Sequence, residues 1–244
     1  METQIQKRIE PTFSDSFGHG WYTMGKYFLV LLLLVIILGL VTFPAQFVRI
    51  NIDNDTFHWL GKVKDYIGLG GIAVLGVFAI IMGIFAFFYM LLVVPVIKFG
   101  ADLMFVHGAR GIRPQFETLV KGFTENYLHI ILASLLRIAL IMLGMILLLV
   151  PGIIVACRLA FVSYLVMDRK LDPIIAVEES WRLTRGHGWT IFGMAIVSFF
   201  IFIAGFIMFF VGVLPATIWV KSSFASLYEA VITEKNGAAV VAEG

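Results

Sequence analysis

The sequence predicts an all-α integral membrane protein whose six transmembrane helices form three hairpins, each preceded by an interfacial amphipathic segment. Its 244 residues are 60% hydrophobic and only 14% charged, with a mean hydropathy of +0.97. A soluble domain carries about 25% charged residues, so this chain has too little polar surface to cover a water-soluble globule. Three long segments also contain no Asp, Glu, Lys or Arg: residues 27–48, 66–97 and 186–220. A membrane-spanning helix needs about 20 such residues.

The apolar segments divide the chain into six predicted spans. These are residues 26–48, 67–97, 127–149, 152–168, 188–211 and 214–233. Residues 1–25 are predicted to be a cytoplasmic interfacial leader, and residues 234–244 a disordered tail. The first span is too long for a signal peptide and no small-residue cleavage site follows it, so it is expected to remain uncleaved. A short interfacial helix is predicted around Phe57 to Tyr66, before the second span.

Two of the predicted connections are tight turns. Spans three and four are expected to meet at Pro151-Gly152, and spans five and six between Gly212 and Pro215. Such turns produce antiparallel hairpins, because an open backbone cannot face lipid.

The distribution of positive charge predicts the orientation. Of the 18 Lys and Arg residues, 12 fall in the predicted inner segments, 3 in the predicted outer loop and 3 inside spans. Positive residues favour the cytoplasmic side. Both termini are therefore predicted to lie in the cytoplasm, and the protein in a bacterial inner membrane.

Three segments that precede apolar runs share one pattern. Each opens with a charged residue and Pro, continues with a short mixed stretch, and ends with an aromatic residue at the start of the run: Trp21, Tyr127 or Trp189. Trp181 lies on the apolar stripe of the third segment. Because Trp and Tyr favour the membrane interface, these four residues are predicted to be interfacial anchors.

The tetrapeptide Gly-His-Gly-Trp occurs at 18–21 and again at 186–189, in the first and third segments. A metal site usually requires three or four ligands, and the middle segment, "TENYLH", keeps the aromatic residue but lacks Gly-His-Gly. The tetrapeptide is therefore interpreted as marking the entry into a span, and no metal or cofactor is predicted.

One stretch of the chain carries a recognisable pattern, which consists of Pro151-Gly152-Ile153, Arg158, Asp168, Ser180-Trp181, Thr184, Gly186 and Trp189. With the segment upstream, over about residues 95–230, it resembles a broad group of bacterial and archaeal membrane proteins. That group includes the membrane domain attached to some glycerophosphodiester phosphodiesterases, and stand-alone six-span relatives. The resemblance implies a fold but no chemistry, because the shared region is not the part that hydrolyses phosphodiesters.

Three cations inside predicted spans are the candidate functional residues: Arg137, Arg158 and Lys221. A charge at the centre of a span costs about 2.5–3.5 kcal/mol or more, and the nearest carboxylate in a span is that of Glu229. One hypothesis is that the three cations meet between helices and bind an anion, such as a lipid phosphate or a partner's carboxylate. In the alternative, Arg158 and Lys221 snorkel outward and Arg137 donates to backbone carbonyls.

The sequence contains no recognisable nucleophile–base, metalloprotease or nucleotide-binding motif, so an enzyme is not predicted. The first functional hypothesis is a non-catalytic membrane scaffold or accessory subunit that organises partner proteins or lipids. The alternative is a transporter or lipid-handling permease with an anion or lipid-headgroup site at the Arg/Lys cluster. Expected partners are membrane lipids and a membrane-protein complex or a second copy of the chain, and no nucleic acid.

Overall fold

The computed structural model describes residues 9–47, 54–208 and 211–243. Over these ranges the protein is all-helical and has no strand. The helices of the described ranges are α1 (Phe13–Lys26), α2 (Phe28–Phe47), α3 (Asn54–Leu92), α4 (Val94–Ala109), α5 (Glu117–Thr124), α6 (Tyr127–Leu147), α7 (Leu149–Arg158), α8 (Val162–Asp168), α9 (Pro173–Leu183), α10 (Gly188–Ile207) and α11 (Val213–Glu243).

Four helical segments in the described part of the chain are long and apolar enough to cross a membrane. They are Ala73–Ala109, Tyr127–Leu147, Leu149–Asp168 and Gly188–Ile207. A fifth is present if α1 and the first part of α2, which are bent by 95° relative to each other, count as one span. The structure therefore confirms an all-helical protein with the helices of a membrane protein.

Helix α11 is not among these segments, because its composition is more polar. The reason lies in its surroundings. Its fully buried residues include Leu227, Tyr228 and Val231, and the side chains of Ser222 and Ser226 are buried as well. Helices α1, α9 and α10 pack against it. A helix that contacts protein on most of its faces does not need an apolar side chain at every position.

Residues Gly39–Pro95 form a separate compact unit, which contains the end of α2 and all of α3. Within this unit the Tyr89 hydroxyl donates to the Val41 carbonyl at 3.0 Å. Helix α3 is interrupted at Gly68, whose φ of 68° and ψ of 176° are not helical. The short helix predicted before the second span is therefore present as the part of α3 that precedes Gly68.

The turns of the two predicted hairpins lie elsewhere than the sequence suggested. Helices α6 and α7 are separated at Leu148, which is extended, so Pro151 and Gly152 already lie in the first turn of α7. Pro is tolerated there because the first N–H groups of a helix have no partner within the helix. The close contact is instead between glycines: a Cβ on Gly144 would lie 3.0 Å from the Cα of Gly152.

The connection between α10 and α11 repeats this arrangement. Helix α10 ends at Ile207 and α11 begins at Val213, so Pro215 again occupies the first turn of the second helix. A Cβ on Gly205 would lie 2.7 Å from the carbonyl oxygen of Gly212. In both connections, prolines expected in the turn belong to the following helix.

The chain ends differ in part from their predictions. Residues 234–243, predicted to be disordered, continue α11 as a helix. The leader contains α1, which Thr12 caps by accepting from the backbone N–H of Asp15 at 3.4 Å. Helices α1, α5 and α9 occupy the three positions where the sequence predicts short amphipathic segments, each before a long apolar helix.

Candidate functional site

Lys221 has a counter-ion that the sequence interpretation missed. Its Nζ lies 2.7 Å from Oδ1 of Asp102, whose residue is only 7% exposed. The second span was predicted to end at residue 97, which placed Asp102 in an inner loop. In the structure the chain remains helical through α4 to Ala109. The carboxylate that pairs with Lys221 is therefore that of Asp102 rather than that of Glu229.

Arg137 lies in the same region as Lys221. Lys98, one helical turn before Asp102, lies within electrostatic range of Asp102, Lys221 and Arg137. The hydroxyl of Tyr164 on α8 lies within electrostatic range of Asp102 and Arg137. We call Lys98, Arg137, Lys221 and Asp102 the cation cluster.

The cation cluster is not neutral. It contains three positive side chains and one negative side chain, a net charge of +2. Lys221 and Asp102 satisfy each other, whereas Lys98 and Arg137 make no hydrogen bond or ion pair with any other residue in the described part of the chain. Two cations are therefore available to a ligand.

Arg158 has a different environment. Its guanidinium donates to the carbonyl of Thr184 at 2.8 Å and lies 5.8 Å from the centre of the Trp181 ring. The Ser180 hydroxyl donates to the Arg158 carbonyl at 2.7 Å. Arg137 and Lys221 are thus both within electrostatic range of Lys98, whereas Arg158 lies against α9. Among the described residues, no hydrogen bond or ion pair joins Arg158 to the cation cluster.

A second ionic network, absent from the sequence prediction, joins the ends of α4 and α8 to the middle of α11. Arg110, just after α4, donates to both carboxylate oxygens of Asp168 at 2.5 and 2.6 Å, and to Glu229 at 2.7 Å. The Tyr228 hydroxyl donates to Asp168 at 3.0 Å. Burial lowers the pKa of Arg110, but the hydrogen bonds to the two carboxylates outweigh burial and raise it above its ordinary value. The guanidinium is therefore permanently charged.

The repeated histidines both contact α11. His19 lies with Nδ1 2.9 Å from the Ser226 hydroxyl, and His187 with Nε2 3.0 Å from a carboxylate oxygen of Glu234. Over the described residues, no group of three or more His, Cys, Asp or Glu side chains is arranged to hold a metal ion. In this structure the two histidines make packing and polar contacts between helices.

The predicted interfacial anchors are exposed to different degrees. Trp189 is 85% exposed, Trp21 57% and Trp181 39%, and Tyr127 is partly exposed. Trp21 also packs edge-on against Trp219 of α11, with ring centres 4.9 Å apart. All four side chains are thus at least partly exposed, and their role as interfacial anchors stays a prediction.

Comparison with known proteins identifies no relative: no family model matches the chain, and no curated protein and no solved structure matches it. The class that the structure supports is therefore the coarse one, an all-helical membrane protein. Its resemblance to the membrane domain of some glycerophosphodiester phosphodiesterases stays a prediction from residues alone.

Proposed function

We propose that this protein is a lipid-handling membrane protein that binds an anionic phospholipid through its phosphate at the cation cluster. The observation that carries the proposal is the net charge of +2 of the cluster, with Lys98 and Arg137 unpaired. Of the two sequence-derived hypotheses, this is the alternative, the permease or lipid-handling protein with a headgroup site. The proposed site contains two of the three predicted residues, Arg137 and Lys221, and it contains Lys98 but not Arg158.

The chemistry of the cluster suits a phosphate. The planar guanidinium of Arg137 can donate two parallel hydrogen bonds to phosphate oxygens, and the ammonium of Lys98 can act as a point charge beside it. Unpaired cations in a membrane are costly, since each costs about 2.5–3.5 kcal/mol or more near the centre of a span. An anion between them would offset that cost. Asp102 holds Lys221 in place, so the pair forms a fixed wall of the site.

The proposal includes the six-span topology. Helix α11 is the proposed sixth span, and its polar residues are accommodated because they face protein: Lys221 pairs with Asp102, and Glu229 with Arg110. Polar side chains in membrane helices usually face the bundle interior and pair with one another. With six spans and the excess of positive charge on the predicted inner segments, both termini lie in the cytoplasm of a bacterial cell.

One observation favours the scaffold or accessory-subunit hypothesis as a second candidate. Only 6% of the most apolar window of Ala73–Ala109 is buried, compared with 22–44% in the other three candidate spans. Exposed apolar residues of α3 include Val77, Phe85 and Phe88. Such a surface can face lipid alone, or it can contact another membrane protein or a second copy of the chain.

The test compares lipids bound to the full-length protein purified in mild detergent. The double variant Lys98→Leu, Arg137→Leu should lose most of the co-purified phosphatidylglycerol while retaining zwitterionic lipid, as quantified by mass spectrometry. Arg182→Leu is the matched control, because Arg182 is an exposed arginine on α9 that pairs with its neighbour Glu179.

Unchanged phosphatidylglycerol in a folded double variant would contradict the proposal. Recovery of the same stoichiometric protein partner with the wild type and with that variant would then support the accessory-subunit candidate. Thermal unfolding of each variant reports whether it is folded.

A further inference from the structure

A groove separate from the cation cluster lies between α7 and the beginning of α10. Its volume is about 500 Å³, within the range of about 300–1,000 Å³ that is typical of ligand pockets. Apolar side chains form most of its wall, and one cation lies at its end. The lining residues used in the argument are Val150, Ile154, Cys157, Arg158, Trp189 and Phe192.

The polar end of the groove is the guanidinium of Arg158. One of its five N–H groups donates to the Thr184 carbonyl, and the ring of Trp181 lies 5.8 Å away. No acidic side chain pairs with Arg158 in the described part of the chain. The remaining N–H groups can therefore donate to an anion, and a guanidinium is well suited to bidentate binding of phosphate.

The apolar wall follows most of α7 and is shorter than one lipid leaflet. Val150 and Arg158 are eight residues apart on α7, about 12 Å at a rise of 1.5 Å per residue. Half of a hydrocarbon core of about 30 Å is about 15 Å. Trp189 lines the same groove and is 85% exposed, and Trp prefers the membrane interface. The groove therefore combines a cationic end at Arg158 with an apolar wall that follows α7 toward Val150, which suits an amphipathic anion.

We propose that this groove binds one acyl chain of an anionic phospholipid, with the phosphate held by Arg158. The site goes beyond the proposed function, because it shares no residue with the cation cluster and can be occupied whether or not that cluster binds lipid. A zwitterionic lipid would bring a cationic group toward the guanidinium. A soluble anion would leave the apolar wall unoccupied.

The only cysteine of the chain, Cys157, lines the groove and therefore reports its occupancy directly. The full-length protein is delipidated and reconstituted in nanodiscs of phosphatidylcholine, with or without phosphatidylglycerol. Alkylation of Cys157 by N-ethylmaleimide is followed by intact-protein mass spectrometry. With phosphatidylglycerol at about ten times its dissociation constant, alkylation of the wild type should slow by about tenfold.

Variants distinguish this groove from the cation cluster. Arg158→Leu should abolish the protection by phosphatidylglycerol, Arg158→Lys should retain part of it, and Arg182→Leu should behave as the wild type. Arg137→Leu should also retain protection of Cys157 while losing lipid at the cation cluster, so that the two proposals can fail separately.

Three results would overturn the inference. The first is equal alkylation of the wild type in both lipid mixtures, and the second is protection that persists in Arg158→Leu. The third is a result in which phosphatidylglycerol no longer protects Cys157 in Arg137→Leu but still protects it in Arg158→Lys and Arg158→Leu. That result would assign the lipid to the cation cluster. If Arg158→Leu does not fold, the comparison of wild type with Arg158→Lys decides, since equal protection at every lipid concentration would contradict the role of the guanidinium.

Discussion

Arg110 holds three helices together at a single point. Its guanidinium binds Asp168 at the end of α8 and Glu229 within α11, and their side chains are only 9% and 17% exposed. Bidentate arginine–carboxylate pairs are among the stronger polar contacts in proteins. Removing the guanidinium would leave two poorly solvated carboxylates close together, which is a larger loss than the hydrogen bonds alone.

We therefore expect Arg110→Gln to destabilise the protein strongly. Removing one partner of a buried pair costs about 3–5 kcal/mol, and the 30% exposure of the Arg110 side chain puts the expectation near the lower end. Arg182→Gln removes an arginine that is 70% exposed and should cost about 0–1 kcal/mol. Denaturant unfolding in mild detergent measures both. Equal losses in the two variants would show that the Arg110 network contributes no more than a surface pair.

The contrast between Lys221 and Arg137 shows what the sequence could reveal about single residues. Both were identifiable as charges inside apolar segments, and both lie within electrostatic range of Lys98. The partner of Lys221 was not identifiable, because Asp102 is 119 residues away and pairs with it only when α4 lies beside α11. The sequence analysis grouped Arg158 with these two residues because it also lies within a predicted span. In the structure Arg158 contacts α9 and the residue that follows it. The position of α9 against α7 is a tertiary contact, which no local sequence pattern determines.

Among the helices, the contact of α1 with α11 depends on a close backbone approach. A Cβ on Gly20 would lie 2.7 Å from the backbone of Ser223, closer than real Cβ contacts. Nearby, the Trp219 indole N–H donates to the Phe17 carbonyl at 3.1 Å. The first Gly-His-Gly-Trp thus belongs to a helix–helix contact. In the second copy, Gly186 has a φ of +97° and makes the connection between α9 and α10.

Gly20→Ala should accordingly weaken the packing of α1 on α11. Overpacking a close contact costs about 1–3 kcal/mol. Gly18, on the same helix, has no atom within 4 Å of a Cβ placed on it, so Gly18→Ala should be neutral or stabilise α1 by about 0.5–1 kcal/mol. The melting temperature of the purified protein should therefore fall for Gly20→Ala and not for Gly18→Ala. A fall of the same size in both would contradict the close approach.

The amphipathic pattern predicted that α1, α5 and α9 exist, but it could not predict what covers their apolar faces. An apolar stripe is equally compatible with a membrane surface and with another helix. For α1 the structure gives a protein contact, since Phe17 is buried and packs edge-on against Trp219. The hairpin turns were misplaced for a related reason. Pro indicates a helix boundary, yet it is also tolerated in the first turn of a helix, which is where Pro151 and Pro215 lie.

For the whole molecule, the difference between five and six spans depends on α11. Hydropathy identifies helices that face lipid, and it is least informative for a helix that protein surrounds. Helix α11 contains Lys221 and Glu229, each paired with a residue of another segment, and its buried serines lie between other helices. The same packing that reduces its hydropathy would allow it to cross the membrane. A helix α11 that crosses the membrane and one that does not can have the same composition. They differ in whether the two ends of α11 lie on opposite sides of the membrane or on the same side.

Cysteine labelling at the two ends of α11 tests the six-span topology. In a Cys157→Ser background, Val211→Cys lies before α11 and Asn236→Cys near its end, and both positions are exposed. If α11 crosses, an impermeant maleimide applied to intact spheroplasts should label Val211→Cys, and should label Asn236→Cys only after permeabilisation. Arg185→Cys, which precedes α10, should behave as Asn236→Cys because both lie on the predicted cytoplasmic side. Equal labelling at 211 and 236 would mean that α11 does not cross, because only this helix separates the two positions.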